Sequence, residues 1–363
     1  MAIRRIVLFS IGILILGVGS FAQQKKTNYN SLFQKVDELL NKSGLTKSAL
    51  AKVDSIYRIA TIEKQEVQLI KALIYKFSIQ PRIQENAEVV GFAQLEAEIK
   101  KSSQLATSIL HSLLASKYLE YFQQQRYKIY SRTKTTNFQK SDPDTWTISD
   151  FHEKIADHFQ RSLVNEKLLQ ETGLSEFDPI IFKGNSRYLR PTLFDMLAHK
   201  ALEYYKNSEN DFGRPASEFQ IMGKIPFDRG IDFSNYRFRT SDSLSNLYKA
   251  LTLYQRLIRF HLAKKNIEAL IDIDLQRVVF VMSKSVDENK LKLYRTALAH
   301  IGTGYSGEPG GSQAWYLLAH TYFENRDEYI PGDSLHRFDL VQAKLILERV
   351  VAKRDSSEGF INS

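Results

Sequence analysis

Eight histidines and no cysteine set the chemical repertoire of this chain. Without a thiol there is no disulfide framework, no thiolate metal site and no cysteine nucleophile, so stability must come from packing. His152 and His158 lie six residues apart in FHEKIADHF. Histidines that share a metal on one helix face sit at i, i+4, often as HExxH. The spacing of six predicts a solvated helix face instead of a ligand pair. His111, His199, His300 and His320 fall in or beside apolar helical positions, where a packed, hydrogen-bonded imidazole is expected. Asp272 and Asp274 are two apart in DIDLQ. On a helix they occupy different faces and cannot act as a shared acid–base pair. The run GEPGGS, residues 307–312, follows no strand and precedes no Lys-Ser/Thr pair, so it reads as a turn with Ser312 capping the next helix. No serine has the strand-to-helix elbow of a hydrolase nucleophile. The expectation is a protein without catalytic residues, cofactor or metal.

One cluster could bind. Arg126, Lys128, Arg132 and Lys134 are interleaved with Tyr127 and Tyr130. Such a group can engage an anionic ligand or an acidic partner surface. It also fits a solvated helix end, where cations complement the carbonyl dipole.

Helical periodicity supplies the elements that would position these groups. Leu32, Val36, Leu39 and Leu40 form one apolar stripe, closed by Gly44. Thr46 is placed as the cap of a second helix, and a third runs until Pro81. The spacing predicts a long helix from Leu105 to about Tyr130, with Leu110, Leu113, Leu114, Tyr118, Tyr121 and Phe122 on its buried side. Residues 131–147 form an ordered surface loop anchored by Trp146. Residues 150–170 are helical, and Pro191 begins a further helix at its first turn. The β-branched run VVFVM, residues 278–282, lies within a longer helical pattern and is assigned to it. Residues 205–241, rich in proline and glycine, suggest a boundary between an N-terminal helical domain (23–235) and a C-terminal one (236–363). In the latter, Trp315-x2-Leu318-Ala319-x2-Tyr322, followed by Ala343-x3-Leu347, matches the spacing of a tetratricopeptide repeat. The expected fold is all-α, with antiparallel helix pairs forming a TPR-like α-solenoid.

The N-terminus reads as a secretory signal, residues 1–22. Arg4 and Arg5 precede an apolar run from Ile6 to Val18, and Ser20-Phe21-Ala22 supplies small residues for cleavage. Removing it takes two arginines and no acid, which lowers the net charge from +9 to +7. That mild excess favours acidic surfaces weakly. The expected location is periplasmic or secreted, with no nucleic-acid partner and no stable membrane anchor after cleavage.

Four stretches carry a family resemblance: LIKALIY (residues 69–75), ILHSLLASKYLEYFQQQRYKIYSRT (109–133), DTW (144–146) and RPTLFDMLAHKALEYY (190–205). Together with Tyr294 and the Trp315–Tyr322 segment they resemble the N-terminal helical region of Bacteroidetes alpha-2-macroglobulin-family proteins, over Leu39 to about Ala352. The resemblance implies a non-catalytic exported module of an endopeptidase inhibitor. The family's thioester needs a cysteine, and its sandwich and bait segments have no counterpart here. The chain ends at Ile361-Asn362-Ser363, where those domains would begin, so a truncated product or a fragment without trapping activity of its own is expected. Its partners would be proteins, proteases or the missing C-terminal domains among them. The alternative is a free-standing TPR-like periplasmic adaptor or glycan-uptake binding protein, against which the missing lipid-attachment cysteine counts.

Overall fold

The computed structural model describes residues 27–42, 44–131, 142–207, 218–242, 244–332, 334–355 and 357–363. The expected signal segment, residues 1–22, and residues 208–217 of the expected boundary lie outside these. Among the described residues the chain is all-α. Extended pairing is confined to one isolated bridge between Gly173 and Thr192. No described helix is long and apolar enough to cross a membrane.

The N-terminal helices are α1 (Tyr29–Asn41), α2 (Thr46–Ile62), α3 (Glu66–Ile79), α4 (Ala87–Ile99) and α5 (Gln104–Gln124). Gly44, at φ +61°, takes the left-handed turn between α1 and α2, a conformation that costs a glycine little. Thr46 is the first residue of α2 and not its cap. Leu45 holds the cap position and makes no side-chain bond there. Pro81 sits in a 3-10 turn directly after α3, as its missing N–H requires.

The long helix breaks earlier than its sequence suggests. α5 ends at Gln124, and a separate five-residue helix, α6 (Arg126–Tyr130), follows a turn at Gln125. Residues 123–126 are all polar and give a continuing helix nothing to bury. The turn instead carries Ile129 into the core, fully enclosed. Residues 132–141 lie outside the described set, but the end of that loop is anchored as expected. Trp146 is buried, and the Tyr121 hydroxyl donates to Asp144 Oδ1 at 2.8 Å.

α7 (Ile148–Arg161) and α8 (Glu166–Glu171) divide the segment expected to be one helix. α7 opens with a capping box in which Thr147 and Asp150 exchange bonds. α9 (Leu193–Tyr205) opens with the same device from Thr192 and Asp195. Pro191 therefore precedes the cap and does not occupy the first turn. α10 (Gly230–Asn235), α11 (Asn246–Lys264), α12 (Ile267–Lys284), α13 (Lys290–Gly304), α14 (Pro309–Glu324), α15 (Asp339–Lys353) and α16 (Glu358–Asn362) complete the chain. Residues 278–282 are helical within α12. Pro309 starts α14 a turn before the expected cap, because its fixed φ suits a first helical position. Ser312 is thereby carried inside the helix, fully buried, where its hydroxyl donates to Asp355 at 2.6 Å.

Neighbours in sequence are neighbours in space from α11 to α15, and α9 packs on α11. A small hydrophobic cluster of Phe33, Val36, Ala49, Val53, Ile56, Ala72 and Ile79 holds α1 to α3. The main cluster runs from Ala60 to Leu318 and crosses residues 235–236 without a break. Trp315 is only half buried. Its indole lies over Gly302 of α13, so close that a methyl group on that glycine would fall 2.6 Å from Cε2.

Candidate functional site

The histidines are more deeply buried than their spacing implied. His152 and His158 do not line a solvated face: both are buried, on the core side of α7. The helix has a wide apolar stripe of Phe151, Ile155, Ala156 and Phe159, and positions 152 and 158 flank it. His158 Nδ1 meets His111 Nδ1 of α5 at 2.8 Å. One nitrogen must donate and the other accept. His158 Nε2 is buried without a hydrogen-bond partner. An orphaned acceptor costs less than an orphaned N–H, which makes His158 the donor and leaves a bare lone pair on its Nε2. His152 Nδ1 lies 2.8 Å from the Tyr204 hydroxyl of α9. His199 Nδ1 donates to the Asp195 carbonyl at 2.8 Å. Burial pushes all four imidazoles down, to about 4 for His111, His152 and His199 and about 3 for His158. They are neutral packing groups at pH 7. His300 and His320 are exposed instead of packed. No group of three or more metal-binding side chains forms among the described residues.

Two buried carboxylates were not legible as partners. Asp195, fully enclosed, caps α9 through Oδ2 and faces His261 Nε2 of α11 at 2.9 Å through Oδ1. That pair is out of line for a hydrogen bond, so it holds α9 to α11 by charge and dipole. Asp274 and Asp272 do point in different directions, as expected. Asp272 accepts from Gln276 at 2.7 Å, and Asp274 accepts from the buried Arg277 at 2.8 Å. Arg277 was overlooked; its i, i+3 spacing from Asp274 was the available signal.

The basic cluster is brought together only in part. Arg126 and Lys128 project from α6 into solvent, beside Tyr127, which is 88 % exposed. The Arg126 guanidinium lies 5.7 Å above the Tyr130 ring. Arg132 and Lys134 lie outside the described residues. Five residues make too short a helix to present a strong terminal field.

A larger feature lies at the other end of the chain. Of 26 large hydrophobic side chains exposed among the described residues, ten fall between Phe323 and Ile361. On α15 only Ala343 and Val350 are buried, while Leu340, Val341, Leu345 and Val351 remain exposed. Phe323, Leu340, Ala343, Leu347 and Val351 line an open groove of about 660 Å³, crossed by the Lys344–Glu348 pair at 3.7 Å. A helix that is apolar on more than one side is normally buried, and contiguous exposed apolar surface marks a place of association. The apolar positions of residues 338–351 are visible in the sequence, but whether anything covers them is not.

No family model, no curated protein and no solved structure matches the chain.

Proposed function

We propose that the chain is a non-catalytic exported helical module of an alpha-2-macroglobulin-like endopeptidase inhibitor. In this reading its helix pairs form a TPR-like solenoid, and it docks the inhibitor's β-sandwich domains through the exposed face of α15. The carrying observation is the concentration of uncovered apolar side chains on and around that helix. Leu340, Leu345 and Val351 are each about half covered already, so enclosing them would contribute about 1 kcal/mol apiece. The four resembling stretches supply the family. Ala319 and Ala343, both buried where α14 meets α15, support the repeat geometry, because small residues there let two helices approach closely.

The test supplies the sandwich-domain segment of an intact family member in trans and measures binding by calorimetry. Micromolar or tighter association, abolished by Leu345→Glu with Val351→Glu, is expected. Absence of binding by a folded chain would reject the docking role.

A further inference from the structure

A second concavity lies away from α15. Residues 227–231, α12 and α13 enclose a cavity of about 300 Å³, at the small end of the range used for compact ligands, about 300–1,000 Å³. Its walls are mostly apolar, with Leu262, Leu270, Ala297 and Ile301 among them. Asp274, His300 and Tyr305 add polar groups to the same lining.

The electrostatics of these groups select the ligand. Arg277 is fully committed to the protein. Its Nε donates to Asp274 Oδ1 at 2.8 Å, Nη1 donates to the Pro226 carbonyl, and Nη2 donates to the Asp228 carbonyl at 2.8 Å. Its guanidinium is also 4.5 Å above the Phe233 ring. Its charge is balanced by Asp274, and that of Arg229, which also lines the cavity, by Asp232 at 2.9 Å, so neither presents an unpaired positive charge to an anion. Asp274 is equally compensated at Oδ1, but Oδ2 receives no hydrogen bond from a described residue. That oxygen lies beside Gly230, where a Cβ would stand 3.0 Å away. Asp274 is 4 % exposed and lines the cavity. A carboxylate already neutralised by an arginine does not call for a cation, yet its free oxygen remains a strong acceptor. Tyr305 lines the same cavity as Asp274, and burial, then the Asp274 charge, raise its phenol, so the hydroxyl stays protonated. The two share no direct bond. A group that both donates and accepts would bridge them.

We infer that this cavity binds a small neutral compound presenting a hydroxyl beside an apolar face, the chemistry of a single sugar ring. The hydroxyl would donate to Asp274 Oδ2 and accept from Tyr305, while the apolar face lies on Leu270 and Ile301.

Saturation-transfer NMR on the full chain, with glucose, galactose, N-acetylglucosamine and ethanolamine as probes, tests the assignment. At least one of the three sugars should show transfer at about 10 mM. Gly304→Leu should abolish it. That glycine lines the cavity, is exposed and has open space at its Cβ position, so leucine adds bulk at the cavity's rim without crowding the core. Tyr305→Phe should weaken binding about fivefold, the effect of one lost hydrogen bond. Melting curves matching the wild type verify folding, and if Gly304→Leu does not fold, Tyr305→Phe carries the test. Transfer from ethanolamine alone, from none of the sugars, or undiminished in the folded variants would overturn the inference. Either result leaves the α15 docking reading to its own test, because the two surfaces share no residue.

Discussion

His111 on α5 and His158 on α7 hold each other through their Nδ1 atoms at 2.8 Å, inside the main core. This pair ties two helices with a bond that exists only while one imidazole has a free lone pair. Both have pKa values pushed below 6.5, to about 4 and about 3, first by burial. The unfolded chain therefore binds more protons than the folded one between about pH 6.5 and 4. Stability is fully present above 6.5 and falls as pH drops through that window. Urea unfolding at pH 7, 6 and 5 should show a steady decline, before most carboxylates titrate. His158→Phe should make the decline shallower, the remainder coming from His111, His152 and His199. A slope unchanged by that substitution would mean the pair is not the acid-sensitive element.

Gly302 and Trp315 make a second coupled pair. Alanine is ordinarily favoured over glycine within a helix by about 0.5–1 kcal/mol. At position 302 the added methyl meets the indole, so Gly302→Ala should destabilise by about 1–3 kcal/mol. Trp315→Ala should cost less than the about 3–5 kcal/mol of a fully enclosed aromatic, because the indole is only partly buried. In the Trp315→Ala background the Gly302→Ala penalty should vanish. A double-mutant cycle by chemical denaturation measures this, and additivity would show that the two do not touch.

Much of the fold was readable in the sequence, and the exceptions have physical reasons. Apolar periodicity located the helices, including residues 278–282, where β-branched composition argued the other way. Boundaries went astray where capping chemistry outweighed periodicity. Thr192 with Asp195, and Pro309 at a first turn, moved two helix starts. The buried histidines were misjudged because a spacing of six describes one helix, whereas their partners stand on others, His111 on α5 and Tyr204 on α9. The α15 groove escaped notice for a related reason. A hydrophobic stripe in sequence looks the same whether or not anything covers it.

The export reading predicts that protein recovered from the periplasm begins near Gln23. Mass spectrometry of the N-terminal peptide checks it. An intact Met1 in the membrane fraction would contradict cleavage after Ala22.

On the proposed family reading, the chain has neither the thioester cysteine nor a bait segment, so it is expected not to trap proteases by itself. In a digestion of a large protein substrate by trypsin, excess purified chain should leave the rate unchanged. Stoichiometric protection of the substrate would show that a trap resides in these helices after all.

Hydrogen exchange on the complex with the sandwich-domain segment tests the docking claim most directly. The account predicts slowed exchange across residues 340–351, where the apolar side chains become covered, with Arg126–Tyr130 exchanging as in the free chain. Protection centred on Arg126–Tyr130, with α15 unchanged, would contradict it and move the binding surface to the basic helix.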